Sequence, residues 1–399
     1  MIIHQRVKDF ETLGLGMFVH FGIYSQLGRG EWIRNNMTKE DYEPIYKTFS
    51  PKPTWAKELV AAAKGAGCRY ITLTSRHHDG YSLYDTCGLS DFDAPHSCGR
   101  DLIKEFVDAC REEGILPFFY HTLLDWHVET FETDFPAYLK YLRESVKLLC
   151  TNYGPIGGLW FDGTWSKPGA DWEEDALYAT IRRYQPEAII VNNTGMESRG
   201  TLGNMELDSV TFERGKPQPI NLEDSPRYIA SEMCEVLNNH WGYAALDLSY
   251  ISMTDVIRNV ADCRRYRANL LLNVGPMGDG SLRLIDRGML EVLGIWTKLN
   301  DEALHLPAPT GIAVEGREED FLLRHENNLY LFVKEVPNCY VTEPCILRFA
   351  LKEPIVSACW MDNGEPLPFT QEEGVASVTA VPQLYGVDLT LRIAKITLA

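Results

Sequence analysis

Residues 157–165 read GGLWFDGTW: two glycines, an apolar run of Leu159, Trp160 and Phe161, the carboxylate Asp162, then a break at Gly163. A strand buried on both faces reads as a continuous apolar run, and a polar residue at its carboxyl end faces whatever lies above the sheet. In a βα barrel that end is where chemistry is assembled. A lone Asp-Gly is also a common turn, so the stretch gains meaning from the segments around it.

On both sides, short apolar runs alternate with amphipathic segments from Leu15 to about Asn300. Besides the run ending at Asp162, strand candidates are residues 17–24, 69–75, 115–121, 188–192, 209–213, 228–233 and 269–274. Helical segments fall at 55–64, 101–113, 136–150, 175–184, 254–266 and 284–299. The 101–113 segment shows the period: Leu102, Ile103, Phe106, Val107 and Cys110 share one face, and Gly114 stops it. Roughly eight strands with helices between most of them predict an α/β fold, a (β/α)8-like TIM barrel; a doubly wound open sheet would have the same beat. After Leu306-Pro-Ala-Pro309 the rhythm changes. Residues 321–323, 328–333, 345–349, 355–361 and 389–396 are strands with no helices between, which predicts a C-terminal antiparallel β-sandwich. The expected division is a barrel over 1–306 and a sandwich over 307–399.

Composition narrows the partners. Of 399 residues, 45% are apolar and 24% charged, ordinary for a soluble globular chain. A net charge of −18 argues against nucleic acid or an anionic membrane, which need basic patches. The start, MIIHQRVKDFETLG, lacks the marks of a signal peptide, and no apolar run nears the roughly 18 residues of a membrane span. Ten cysteines fall singly with no CxxC pair, so reduced thiols and a cytoplasmic location are expected. A homo-oligomer is compatible with such a chain.

The strand ends carry the chemistry. His20 closes the first strand candidate, and Glu31-Trp32 lies in the loop beyond it. His77-His78-Asp79-Gly80 ends the second, Tyr120-His121 the third (followed by Asp125-Trp126-His127), and Asp162 the fourth. Barrel interiors are filled by Val, Ile and Leu, so polar and aromatic groups at four successive strand ends point to an active site. His77 and His78 lack metal-ligand spacing and there is no HExxH; GPMGDGS at 275–281 lacks the P-loop lysine; there is no GxSxG elbow. What remains is carboxylate chemistry in a pocket of His and Trp, as in glycoside hydrolysis, with no metal called for.

The segments MFVHFGIYS, TLTSRHHDGYSLYDT, RDLIKEFVDACREEGI, FYHTLLDWH, LLCTNYGPIGGLWFDG, HWGY and NLLLNVGPMGDGSL resemble, in that order, glycoside hydrolase family 29, the α-L-fucosidases. The resemblance covers Leu15 to about Asn300 and, more weakly, the sandwich. It implies a retaining, exo-acting α-L-fucosidase that removes terminal fucose from fucosylated oligosaccharides by double displacement, without a cofactor. Asp162 matches the nucleophile. His20, Glu31, Trp32, His77, His78, Tyr120 and Trp160 match positions that hold the fucose hydroxyls and methyl face.

Residues 208–213, DSVTFE, line up with the family's acid/base segment, which assigns that role to Glu213. Glu206 and Glu232 compete for it, and Glu232 matches a pocket glutamate. The chain departs from the family at Asn192-Asn193-Thr194-Gly195, where an arginine is missing that Arg214 would replace, at Ser231 for Trp, and at Phe21 for Trp. Two rivals stay open: the same machinery acting on a related galactoside, and a fucose-binding homologue of weak turnover. The sandwich is expected to prop the barrel rather than bind glycan itself.

Overall fold

The fourth strand opens on glycine because nothing larger fits. In a computed structural model of the chain, a Cβ on Gly158 would lie 2.5 Å from the Phe118 ring and 2.5 Å from the Ile189 carbonyl. It closes on Gly163 at φ +113°, a conformation open to glycine, with Leu124 packed where a side chain would go. Between them Leu159 and Phe161 point to the outer helices while Trp160 and Asp162 point inward, as strand alternation requires. The structure describes residues 1–220, 222, 225–336, 345–382 and 389–399.

The strands β1 (Leu15–Val19), β2 (Tyr70–Arg76), β3 (Leu116–Thr122), β4 (Gly158–Asp162), β5 (Ile189–Asn192), β6 (Ser209–Glu213), β7 (Ala230–Val236) and β8 (Asn269–Val274) pair in parallel in chain order. β8 returns to β1, closing the barrel. Helices Trp55–Gly65, Leu102–Glu113, Phe135–Asn152, Glu174–Tyr184, Met253–Arg265 and Leu284–Leu304 wrap it, and among the described residues none separates β5 from β6 or β6 from β7. Local chemistry sets the ends. Asp101 accepts a hydrogen bond from the Lys104 amide at 2.9 Å to start its helix, and Gly114 at φ +72° stops it.

The barrel interior differs from the aliphatic filling expected. Phe18, Tyr70, Phe118, Tyr120 and Trp160 fill it, and the N-terminal helix Gln5–Glu11 plugs the bottom with Val7 and Phe10. Phe10 meets Tyr70 edge-on at 5.8 Å. Arg6 fixes that plug through Asp208 at 2.9 Å, a buried carboxylate that Arg182 also holds at 2.5 Å. Aromatic rings occupy the interior where the strands supply glycine opposite them, as at Gly16 against Tyr70 and Gly158 against Phe118.

Two barrel strands, β1 and β7, differ from the sequence expectation by more than one residue. β1 ends at Val19 rather than running to 24, because the Thr74 hydroxyl takes both the Phe21 N–H (3.0 Å) and the Phe21 carbonyl (2.8 Å) out of the ladder. β7 begins at Ala230 rather than 228, because the Tyr228 amide bonds the Ile2 carbonyl at the N-terminus.

Beyond the barrel, β13 (Ile355–Trp360), β16 (Arg392–Leu398), β11 (Asn328–Val333), β10 (Phe321–His325) and β9 (Ala308–Ala313) form a five-stranded antiparallel sheet in that spatial order. A second sheet orders β12 (Cys345–Ala350), β15 (Val375–Ala380) and β14 (Phe369–Glu372). Leu329, Leu331 and Val333 face Leu347, Phe349 and Val378 between the sheets. The alternate residues of β10 and β11, Leu323, Tyr330 and Phe332, join the barrel's own core, and Trp296 donates to the Leu391 carbonyl at 3.0 Å. The sequence pattern missed β9, β14 and β15. β9 (APTGIA) is an edge strand that tolerates its proline and glycine, and β15 (VASVTA) alternates with small residues that give a weak signal.

Candidate active site

The bowl above the strand ends is lined first by neutral rings. His20 donates its Nδ1–H to Asn273 Oδ1 at 2.7 Å, since the Asn273 amide nitrogen is committed to the Trp241 carbonyl. Burial holds that imidazole down to about 3, so it is neutral near pH 7 and its Nε2 is an acceptor. His77 is pushed down by burial, then by the neighbouring His78 and His20; its Nδ1 is buried with no partner among the described residues. Just past β2 the chain has left the sheet, so adjacent His77 and His78 both reach Tyr120, their rings 4.2 Å apart. Thr122 gives its own proton to the Leu124 carbonyl and so accepts from His78 Nδ1–H at 2.7 Å. That turns His78 Nε2 toward Asp162 Oδ2, 3.5 Å away.

The remaining predicted residues divide into wall, rim and floor. Glu31 is buried, with Oε2 accepting from the Gly242 amide at 2.7 Å. Trp32 and Trp165 stack at the mouth, 5.7 Å apart and 42% and 44% exposed, and Trp126 meets Trp32 edge-on at 5.3 Å. Tyr120 and Trp160 stack below at 5.7 Å, both buried. Glu232 lies lower still. Its oxygens are taken by Trp160 Nε1 at 2.9 Å and by the Tyr70 hydroxyl, and burial pushes its carboxyl up to about 7.

Two acids face each other across this bowl. Asp162 accepts from Tyr120 OH at 3.1 Å on Oδ2, and from Trp165 Nε1 and Asn193 Nδ2, both at 3.3 Å, on Oδ1. Burial alone would raise its pKa, but hydrogen bonding and charge from His78, then Trp165 and Tyr120, outweigh it and hold the carboxyl below its ordinary value. Glu213, at the end of β6, accepts from the same Asn193 Nδ2 at 2.8 Å. Burial raises its pKa, Asn193 opposes that, the Asp162 charge adds to it, and Arg199 and then Arg214 pull it back, with a net upward shift. One nitrogen at 3.3 and 2.8 Å from two oxygens keeps them closer than the roughly 6.5–9.5 Å of inverting acid pairs, and the roughly 5–5.5 Å of retaining pairs is within reach.

Glu206 sits before β6, at the strand's opposite end from Glu213, where it pairs with Arg182 at 3.7 Å. Arg214 leans to Glu235 at 3.7 Å, while Arg199 binds the carbonyls of Glu213 and Arg214. The bowl thus gathers His20, Glu31, Trp32, His77, His78, Tyr120, Trp160, Asp162 and Glu213 at one end of the barrel, with Glu232 beneath them. Asn193, Trp165, Trp126, Trp241, Asn273 and Arg199 belong to it as well. Of these, Trp165 lay inside the stretch 157–165, Trp241 in HWGY and Asn273 at the end of NLLLNV; Asn193 was marked only as a departure.

A parallel barrel with two facing acids in a bowl at its strand ends is an arrangement that glycoside hydrolases use. The sequence narrows the class. Residues 4–302 match the family model described as Alpha-L-fucosidase, and the chain belongs to that family. It is 27% identical over 346 residues to the tissue alpha-L-fucosidase of Bos taurus, covering 77% of this chain and 70% of that one. It is 26% identical over 331 residues to the plasma alpha-L-fucosidase of Homo sapiens, covering 74% and 68%. Among solved structures, alpha-L-fucosidase isoenzyme 1 from Paenibacillus thiaminolyticus superposes with a TM-score of 0.85 at 29% identity, over 99% of each chain.

Proposed function

We propose that the protein is a retaining, exo-acting α-L-fucosidase that releases terminal fucose from fucosylated oligosaccharides in two displacements. In the first, the Asp162 carboxylate attacks the anomeric carbon while Glu213 gives its proton to the departing glycosidic oxygen. A covalent fucosyl ester on Asp162 results. In the second, Glu213, now a carboxylate, takes a proton from water; the water oxygen bonds the anomeric carbon and Asp162 leaves, restoring both acids.

The observation that carries this reading is the shared amide of Asn193. It spans the gap between a carboxyl held below its ordinary pKa and one held above it, the opposed shifts that suit a nucleophile and an acid. A floor closed by the buried Tyr120 and Trp160 suits a sugar at a chain end, which supports exo action. Neutral imidazole edges on His20 and His77 suit hydroxyls, and the Trp32 and Trp165 faces suit apolar sugar surface. Nine cysteines among the described residues are free, which supports a reducing compartment. Among the described residues no helix is long and apolar enough to cross a membrane.

The test is release of fucose against galactose from matched aryl glycosides, with sodium azide added to Asp162→Gly. Fucose release by the native protein, its loss in the variant and the appearance of a fucosyl azide are expected. Preferential galactose release, or full activity without Asp162, would sink the reading.

A further inference from the structure

The outer wall of the barrel carries an apolar face on its closing helix, Leu284–Leu304. Leu246, Leu284 and Leu248 are 94%, 78% and 72% exposed, the three highest values for large apolar side chains among the described residues. They lie together. Arg283, just before the helix, donates to the carbonyls of Ala244 at 3.2 Å and Asp247 at 3.0 Å, which pins the loop bearing Leu246 and Leu248 to that helix end. Along the helix Ile285, Val292 and Ile295 are exposed as well, the last by 63%. Single surface leucines are ordinary, whereas six exposed apolar groups on one helix and its neighbouring loop mark an interaction surface.

Two features choose the occupant. Leu284, Gly288, Glu291 and Ile295 recur at i, i+4, i+7 and i+11, so they share one side of the helix. A Cβ on Gly288 would meet nothing within 4 Å, so packing within one copy does not require glycine in a helix that it weakens. Its missing side chain lets a second helix come close.

The second feature is charge. Between residues 284 and 299 the exposed charged groups are Arg287, Glu291 and Lys298, two cations to one anion in a chain of net charge −18. Two copies can meet here without the repulsion that the net charge imposes elsewhere. Arg287 and Glu291 form no ion pair among the described residues, not even with each other at a spacing of four, where the cation-first order is the weaker one. Now set a second helix antiparallel about a two-fold axis between residues 289 and 290. Leu284 then faces Ile295 of the second copy, and Arg287 comes within one position of its Glu291. Each contact occurs twice, as an isologous interface requires.

We propose that this face is a two-fold interface with a second copy of the chain: the closing helices pack antiparallel across Gly288, cover Leu246, Leu248, Leu284 and Ile295, and pair Arg287 with Glu291 of the second copy.

Sedimentation of the full chain tests it. The native protein should be a dimer at about 20 µM, and Leu284→Glu or Ile295→Glu should raise the dimer Kd by about 30-fold or more. Both side chains are exposed in one copy, so the circular dichroism spectrum should stay as it is. Arg287→Glu alone and Glu291→Arg alone each bring like charges together and should weaken the dimer about tenfold, while the two exchanges combined should return Kd to within about threefold of native. An even-numbered assembly that the glutamate variants split counts with the dimer. A native chain that stays monomeric at about 100 µM overturns the interface, whether a different protein then covers the face or none does. An odd-numbered assembly, a dimer indifferent to both glutamate variants, or a double exchange no tighter than its single parents overturns it equally. Should a glutamate variant misfold, the charge exchanges decide alone.

Discussion

The two halves of the barrel are built differently. From β1 to β4 every connection carries a helix, and the strand ends deliver His20, His77, His78, Tyr120 and Asp162 close to the sheet, all but His77 held by a side-chain hydrogen bond. From β5 to β7 the described connections carry none, and Glu213 is backed by Arg199 and Arg214 from loops. The difference teaches a division of labour. The first half is a cradle of rings around an acid whose pKa is held below its ordinary value. The second half holds the acid proposed to give and take the proton, and surrounds it with opposing influences whose net effect raises its pKa.

The sharpest break of that comparison lies on the cradle side. Asp162→Asn removes the nucleophile but leaves the rings in place, so kcat should fall by roughly 10⁴-fold or more. Fucose affinity, read by calorimetry, should survive. A variant that kept even a hundredth of native turnover would show that the cradle's carboxylate is not the attacking group. On the other half, Glu213→Gln should cost about 10²–10⁴-fold on oligosaccharides. On an aryl fucoside with a good leaving group, which needs little protonation, the loss should be much smaller. If the loss ignores the leaving group, Glu213 is not the proton donor.

Asn193 joins the halves, and its removal tests how they are coupled. In the native protein, kcat/KM should fall on the acid side as Asp162, held below its ordinary value, takes a proton, and on the alkaline side as Glu213, held above its own, loses one. Asn193 opposes the upward shift of Glu213, so Asn193→Ala should raise that pKa further. Because Glu213 must be protonated to act, the alkaline limb then moves to higher pH, while kcat drops by about tenfold. An alkaline limb that moved down, or stayed, would mean that another group sets it.

The same contrast explains what could be read in the chain beforehand. Strands buried on both faces with a polar or aromatic group of the bowl at the end leave a compact signature, and GGLWFDG, RYITLTSRHH and LPFFYHT all carry it. Asn193 left none, since an Asn-Asn-Thr-Gly run reads as a turn whether or not its amide spans two acids. Arg199 lies fourteen positions before its backbone partner Glu213, and only the loop's path brings them together. The aromatic interior was hidden for a related reason. Inward and outward residues of a doubly buried strand are both apolar, so the sequence cannot say that Trp160 faces Tyr120 while Phe161 faces Tyr178. Glu232 suffered most from this. Its match to a pocket glutamate suggested contact with the sugar, whereas both its oxygens are spent on Tyr70 and Trp160 under the floor.

That buried carboxyl offers the mildest test of the comparison, because it props the cradle without entering the chemistry. Glu232→Gln can still accept from Trp160 through its oxygen and donate to the Tyr70 oxygen through its nitrogen, so turnover should change little. Stability should change with pH instead. Burial lifts the folded pKa from its ordinary 4.5 to about 7, so the fold prefers the protonated form. The resulting contribution is fully present below about 4.5 and is lost as pH rises through about 7, on the order of 3 kcal/mol in all. The neutral amide has no proton to lose. Melting curves of native protein and variant should therefore converge or cross between those two pH values, the native protein losing ground as pH rises. Curves that stay parallel would mean that Glu232 keeps its charge in the fold, and that the floor of the cradle is not the neutral platform described above.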